Sequence, residues 1–241
     1  MKNNISEKGF TLVEIAVVLV IVGLLVGSFI GTFAERIETT RRDNTNQELS
    51  EIKQVLMAYV YTNSPLFLPC PDTDMPPNGL ENRNVGGDCA AGNAVGSLPW
   101  FNLGMAHADA WNTRYSYWVN PDYSINTGFN MTTGEVNSAQ INTRINNNAI
   151  AIVPNAVAVI FSRGKNGFGG VSVEGVNRNP IPPVGHDDEL ENADANATFM
   201  SRYVTDEGVA AAGGAFDDIL VWINSYELKA KMVETGALPL P

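Results

Sequence analysis

An uncharged run of 20 residues, Ile15 to Ala34, constrains this chain more than any other feature. As a helix it reaches about 30 Å, the thickness of a bilayer's hydrocarbon layer. A short polar segment with Lys2 and Lys8 precedes it, so the pattern reads as an export signal and a membrane anchor in one. A secretory signal that is discarded has a shorter apolar region with a small-residue cleavage site after it, which this run does not match. Glu14 stands at the edge of the run, and a carboxylate beside hydrocarbon is costly enough to be paired and functional by default. Beyond Ala34, neither Gly nor Pro interrupts the chain before Pro65, and Leu49, Ile52, Leu56, Tyr59 and Val60 fall on one helical face. The helix is therefore expected to run to about Asn63, apolar all round in its lower part and one-faced in its upper part. That upper face needs a domain to cover it.

The residues Gly9-Phe10-Thr11-Leu12-Val13-Glu14, followed by this apolar helix, resemble the prepilin signature of type IV pilins and type II secretion pseudopilins. The resemblance is firm for residues 8 to about 62. It implies cleavage after Gly9 by a prepilin peptidase and N-methylation of Phe10. It also implies assembly with other pilin or pseudopilin subunits through an inner-membrane assembly platform. The α-amino group freed at Phe10 is a cation without a partner, and Glu14 lies one helical turn away. In a staggered assembly the ammonium of an incoming subunit can pair with Glu14 of its neighbour, which makes the carboxylate a register mark. Gly23, Gly27 and Gly31 recur every four residues and line one helix face, where a second helix can approach closely. The expected location is a single pass in the inner membrane of a Gram-negative bacterium with a periplasmic domain, and then a periplasmic or surface filament.

The domain plan is a leader at 1–9, a transmembrane and filament-core helix at 10–34, its amphipathic continuation at 35–63 and an extracytoplasmic domain at 64–241. The expected fold class is α+β, pilin-like, with the long N-terminal helix packed on an antiparallel sheet. At 44% hydrophobic and 17% charged residues, 241 residues suffice for a real core. A net charge of −11 without a basic stripe argues against phosphate-backbone binding as the main task, so no nucleic-acid partner is expected. Cys70 and Cys89 are too few for a zinc site, but an exported chain can close them into a disulfide across a Pro-, Gly- and Asn-rich loop; the alternative is two free thiols. Strands are expected at Tyr115–Val119, Ala149–Val153, Ala156–Ser162 and Ile219–Ile223. Residues 120–148 read as a hairpin or loop excursion on the surface and 177–196 as a long exposed acidic loop. Ser225 is the expected cap of a final helix that Gly236 stops. The aromatic group around Trp100, Trp111, Tyr115 and Trp118 reads as core or subunit contact.

More loosely, FSRGKNGFGG and FDDILVW resemble the end of major pseudopilins, where a serine-glycine-acidic-glycine loop and a later acidic pair bind calcium. That resemblance implies Ser162, Asn166, Asp217 and Asp218 as calcium ligands, since hard oxygens suit this cation. Asn166 stands where an aspartate is usual, and Asn166-Gly167 is also a good two-residue hairpin turn that needs no metal. An enzyme has little to stand on: only His107 and His186 are available, with no Gly-x-Ser-x-Gly, phosphate loop or His-Glu-x-x-His. The run HDDELE, 186–191, reads as a solvated acidic face, and His107 near Asp109 as a local hydrogen bond. No cofactor is required by this reading. The runner-up is a membrane-tethered binding protein or adhesin that does not polymerise.

Overall fold

The computed structural model describes residues 9–90, 95–175, 178–194 and 196–239, without the side chains of 28–32. The leader upstream of Gly9 and the surroundings of Gly31 therefore lie outside the described residues. The chain divides into two compact units, Met1–Asp43 and Asn44–Pro241.

A single helix, α1 (Leu12–Thr62), runs through 51 residues. It ends where the sequence withdraws support: the Asn63 side chain donates to the Tyr59 carbonyl at 2.7 Å and Pro65 follows. In the first unit its apolar side chains from Leu12 to Val26 are exposed. Among the described residues no helix is long and apolar enough to cross a membrane.

The second unit is α+β. After α1 come β1 (Gly96–Ser97), α2 (Trp100–Leu103), β2 (Ser116–Val119), α3 (Pro121–Ser124), β3 (Ala139–Ile145) and β4 (Asn148–Ser162). Then follow α4 (Asp187–Ala193), β5 (Thr198–Met200), β6 (Ile219–Asn224) and α5 (Ser225–Glu234). The six strands form one sheet in the order β1-β2-β4-β3-β5, with β6 also on β4; every pairing is antiparallel except β3 with β5. This is the α+β, pilin-like arrangement expected from the sequence.

The sheet is covered on both faces, and this explains its apolar central run. Tyr117, Val119, Ala158 and Ile160 share one core with Leu49, Ile52, Leu56 and Val60 of α1 and with Leu228 and Met232 of α5. The alternate residues Trp118, Val159 and Phe161 join a second core with Ile141, Phe199 and Phe216. A strand buried on both sides reads as a continuous apolar run, as Ala156–Phe161 does.

Several expectations change. The two strands expected at 149–153 and 156–162 are one, β4, which passes through Pro154 where a register shift interrupts its ladder with β3. Of the two readings of 120–148 the hairpin holds at its end, where β3 turns into β4 across Asn146-Asn147, and α3 lies at its start. Among the described residues no hairpin forms at Asn166-Gly167: β4 pairs with β2, β3 and β6, and 163–170 is a loop in which Gly167 N–H donates to the Arg163 carbonyl at 3.1 Å. Within 177–196, residues 178–185 are a largely exposed loop as expected, but 187–193 form α4, whose Asp188, Glu189 and Asn192 are buried. The final helix is capped by Asn224, whose side chain accepts from Tyr226 N–H at 2.8 Å, while Ser225 turns its hydroxyl to Glu135 at 2.6 Å.

Candidate functional site

The first site is the start of α1. Gly9 and Phe10 are exposed and precede the helix, with Phe10 83% accessible. Thr11 and Glu14 close a reciprocal cap: Thr11 N–H and Oγ1 each donate to Glu14 Oε2 at 2.8 Å, and Glu14 N–H donates to Thr11 Oγ1 at 3.2 Å. This satisfies two main-chain donors of the first turn that the helix leaves orphaned. Glu14 thus has a local function that its charge alone did not disclose, although the signal, Thr-x-x-Glu ahead of an apolar run, stands in the sequence. Gly23 and Gly27 lie further along α1, and a Cβ at either would meet nothing within 4 Å, so their face is open.

Cys70 and Cys89 are joined in a disulfide, Cα to Cα 5.2 Å. It closes the loop that leads from α1 into the sheet, and both cysteines belong to the core that α1 covers.

The positions expected to bind calcium meet only in part. Asp217 and Asp218 come together with Glu189, each offering a carboxylate oxygen within 4.8 Å of the others. Asn166 bridges two of them: its side-chain amide donates to Glu189 Oε1 at 2.9 Å and its N–H to Asp217 Oδ2 at 3.0 Å. Ser162 is engaged elsewhere, donating to Asp109 Oδ2 at 2.5 Å while accepting from Gly164 N–H at 3.0 Å. Asp109 also accepts from the N–H groups of Trp111 and Thr113, both at 2.9 Å, so its partners are these and not His107.

Glu189, Asn192 and His186 were not legible as members of this corner. Glu189 Oε1 also accepts from Asp217 N–H at 3.0 Å, and His186 Nδ1 lies 3.1 Å from Glu189 Oε2. Asn192 donates to Asp218 Oδ2 at 2.8 Å. Arg163 is buried, with Nε donating to Ser116 Oγ at 3.1 Å and its guanidinium 4.4 Å over the Phe161 ring. Burial pushes Asp218 up to about 7 against the attraction of Arg163, and burial pulls Arg163 down to about 10. A calcium shell takes six to eight oxygens. Here the oxygens already accept hydrogen bonds from Asn166, Asn192 and Asp217 N–H, beside a buried guanidinium. Of the four expected positions, Asn166, Asp217 and Asp218 thus share this corner, while Ser162 bonds to Asp109.

A separate buried ion group holds α4 to the sheet: Asp188 lies 2.6 Å from both Arg144 Nη2 and Arg202 Nε. Of the run read from sequence as a solvated face, Asp187 is exposed, whereas Asp188 and Glu189 are buried, where they have partners.

Comparison with characterised proteins and with solved structures gives no match. Residues 5–30 match the family described as the prokaryotic N-terminal methylation motif. That stretch contains the Thr11–Glu14 cap and the exposed apolar start of α1, and with it the chain carries the signature of the prepilin-type proteins of type IV pili and pseudopili.

Proposed function

We propose that this protein is a filament subunit, a minor pilin or a pseudopilin, inserted in the inner membrane through residues 10–34 and then drawn into a pilus or a type II secretion pseudopilus. The observation that carries this reading is an apolar helix start, headed by the methylation motif, whose side chains from Leu12 to Val26 are exposed. Such a surface is stable only in lipid or against other apolar helices. A prepilin peptidase cleaves after Gly9, Phe10 is methylated, and the freed ammonium of one subunit pairs with Glu14 of the next. Gly23, Gly27 and Gly31 let the helices approach. The family of the motif consists of structural subunits, and assembly is noncovalent. A domain of about 180 residues with long loops suits a minor, decorating subunit better than a minimal repeating one.

The test is the intact mass of the protein from its native membrane, with its N-terminal peptide sequenced by mass spectrometry. A chain that begins at monomethylated Phe10 is expected. An intact Met1 start, or a cut beyond Ala34, would overturn the proposal in favour of a plain tether or a secreted domain.

A further inference from the structure

Among the described residues the β4 side of the β3–β4 hairpin has an open edge. Ala156 pairs with Ala139 on one side and with Asn224 on the other, so β6 flanks β4 on the edge opposite β3. The ladder with β6 stops at Ala156, because the chain turns into α5 after Asn224. From Asn148 to Pro154 that edge of β4 has no strand beside it among the described residues. Ala149 to Ile152 are exposed in succession, so the hairpin projects with solvent on both faces.

The orientation of the edge follows from the turn. Asn146 and Asn147 have φ of 50° and 69°, a two-residue turn whose flanking pair, Ile145 and Asn148, exchanges its main-chain hydrogen bonds. Alternation then directs the N–H and C=O groups of Ala149 and Ala151 outward. Folded proteins blunt such edges with charge, proline or a bulge. Here Pro154 and the register shift beside Ile141 stand at the base of the arm, and residues 145–154 carry no charge. Ile145, Ile150 and Ile152 are 50%, 42% and 46% exposed, which is unusual company for an open edge.

We propose that this edge docks a second copy of this chain, antiparallel, about a two-fold axis through Ile150. In that register Ala149 lies opposite Ala151 of the partner subunit and Ala151 opposite Ala149 of the partner subunit. Every outward main-chain group of these alanines is then satisfied, and the two Ile150 side chains sit side by side. The spacing is self-complementary, as an isologous contact requires. Charge selects the same occupant: each copy carries −11, and the uncharged arm is a place where two copies meet without opposing carboxylates. A charged partner finds nothing on it to pair with. Because a two-fold contact closes on two copies, it joins subunits or filaments sideways and does not propagate along a filament. It is independent of the role of Glu14.

Both native cysteines are in the disulfide, so an introduced cysteine reports alone. The full chain in detergent micelles, as Ile150→Cys and as Asn146→Cys, is exposed to mild oxidant and the crosslinked dimer is measured. In the proposed register the two copies of residue 146 are offset by eight positions, about 26 Å, so Ile150→Cys is expected to crosslink about tenfold more than Asn146→Cys. Adding Ala151→Pro to Ile150→Cys removes an outward donor at an edge position that tolerates proline, and is expected to abolish the crosslink. Equal yields at 146 and 150, no crosslink at either, or a crosslink indifferent to Ala151→Pro would overturn the proposal. Sedimentation of the cysteine-unmodified chain guards against a misfolded variant: a concentration-dependent dimer lost in Ala149→Lys supports the contact, and one that survives it does not.

Discussion

Glu14→Gln separates two functions that Glu14→Ala would remove together. In the isolated subunit Glu14 acts as an acceptor, taking two bonds from Thr11, and glutamine serves that capping position as well. In the proposed filament it acts as a charge, facing the ammonium of a neighbouring subunit in an apolar setting. Losing the cap costs about 1 kcal/mol, as Glu14→Ala should. Removing one partner of a buried ion pair costs about 3–5 kcal/mol, on the order of a hundred- to several-thousand-fold in the incorporation equilibrium. Glutamine keeps the smaller contribution and loses the larger. The expected result is that Glu14→Gln and Glu14→Ala fail alike, with less than about a hundredth of the wild-type share of chain in sheared filaments. The assay is a quantitative blot of filament and membrane fractions, with N-methylated Phe10 measured in both so that a processing defect is not counted as an assembly defect. Wild-type incorporation of Glu14→Gln beside a failing Glu14→Ala would show that an acceptor suffices, and the charge-register argument would be wrong.

Replacing Cys70 and Cys89 by serine together frees a loop of 19 residues' separation, an expected loss of about 3 kcal/mol and a melting midpoint lower by about 6–12 °C, read by calorimetry. Asp188→Ala leaves Arg144 and Arg202 without their shared carboxylate and should cost about 3–5 kcal/mol in chemical denaturation; a loss below about 1 kcal/mol would mean that the pair is solvated and α4 is held by apolar contact alone. Millimolar calcium and a chelator are expected to give the same melting midpoint, since the oxygens of Glu189, Asp217 and Asp218 already have protein donors; a midpoint raised by calcium would show that the corner opens to a cation. Asp218 is pushed above its ordinary 3.8 to about 7, so between those values the folded state holds a proton that the unfolded state has released. Its contribution is therefore full below about pH 4, falls as pH rises to about 7 and is flat above, with an upper bound of about 4 kcal/mol. Asp218→Asn should raise the midpoint at pH 8 and leave it unchanged near pH 4; a mutant no more stable than wild type at pH 8 would refute this assignment.

The sequence showed most where a periodic pattern and a local rule agreed. Of the expected face, Leu49, Ile52, Leu56 and Val60 are buried and Tyr59 is half-buried. The apolar run before Ser162 and the run at Ile219–Ile223 are strands, and the cysteines are bonded. It showed least where a long-range partner decides burial. Glu189 and Asp188 look like solvated acids until Asn166, Arg144 and Arg202, distant in sequence, are brought to them. Likewise β3 is hidden among asparagines and threonines, because its pairing partner and not its composition makes it a strand. Nor could the sequence show that the Ser162 hydroxyl bonds to Asp109, a residue 53 positions earlier.

The two patterns carried by α1 are physically separable, and this decides what a substitution in it can do. From Ile15 to Val26 the described side chains are apolar on every face and exposed, so they contribute little to the stability of the second unit. From Leu49 to Val60, Leu49, Ile52, Leu56 and Val60 lie on one face and are fully buried in the core of the sheet. Truncating Leu56 to alanine there should cost about 2–5 kcal/mol of unfolding free energy. Truncation at Val17 or Leu24 should leave unfolding unchanged and weaken only the association of helices. The polar stretch from Glu35 to Glu48 divides these two regimes, and no Gly or Pro within it breaks the helix. A continuous helix can thus be optimised at one end for a neighbour and at the other for its own domain, because neither face pattern intrudes on the other.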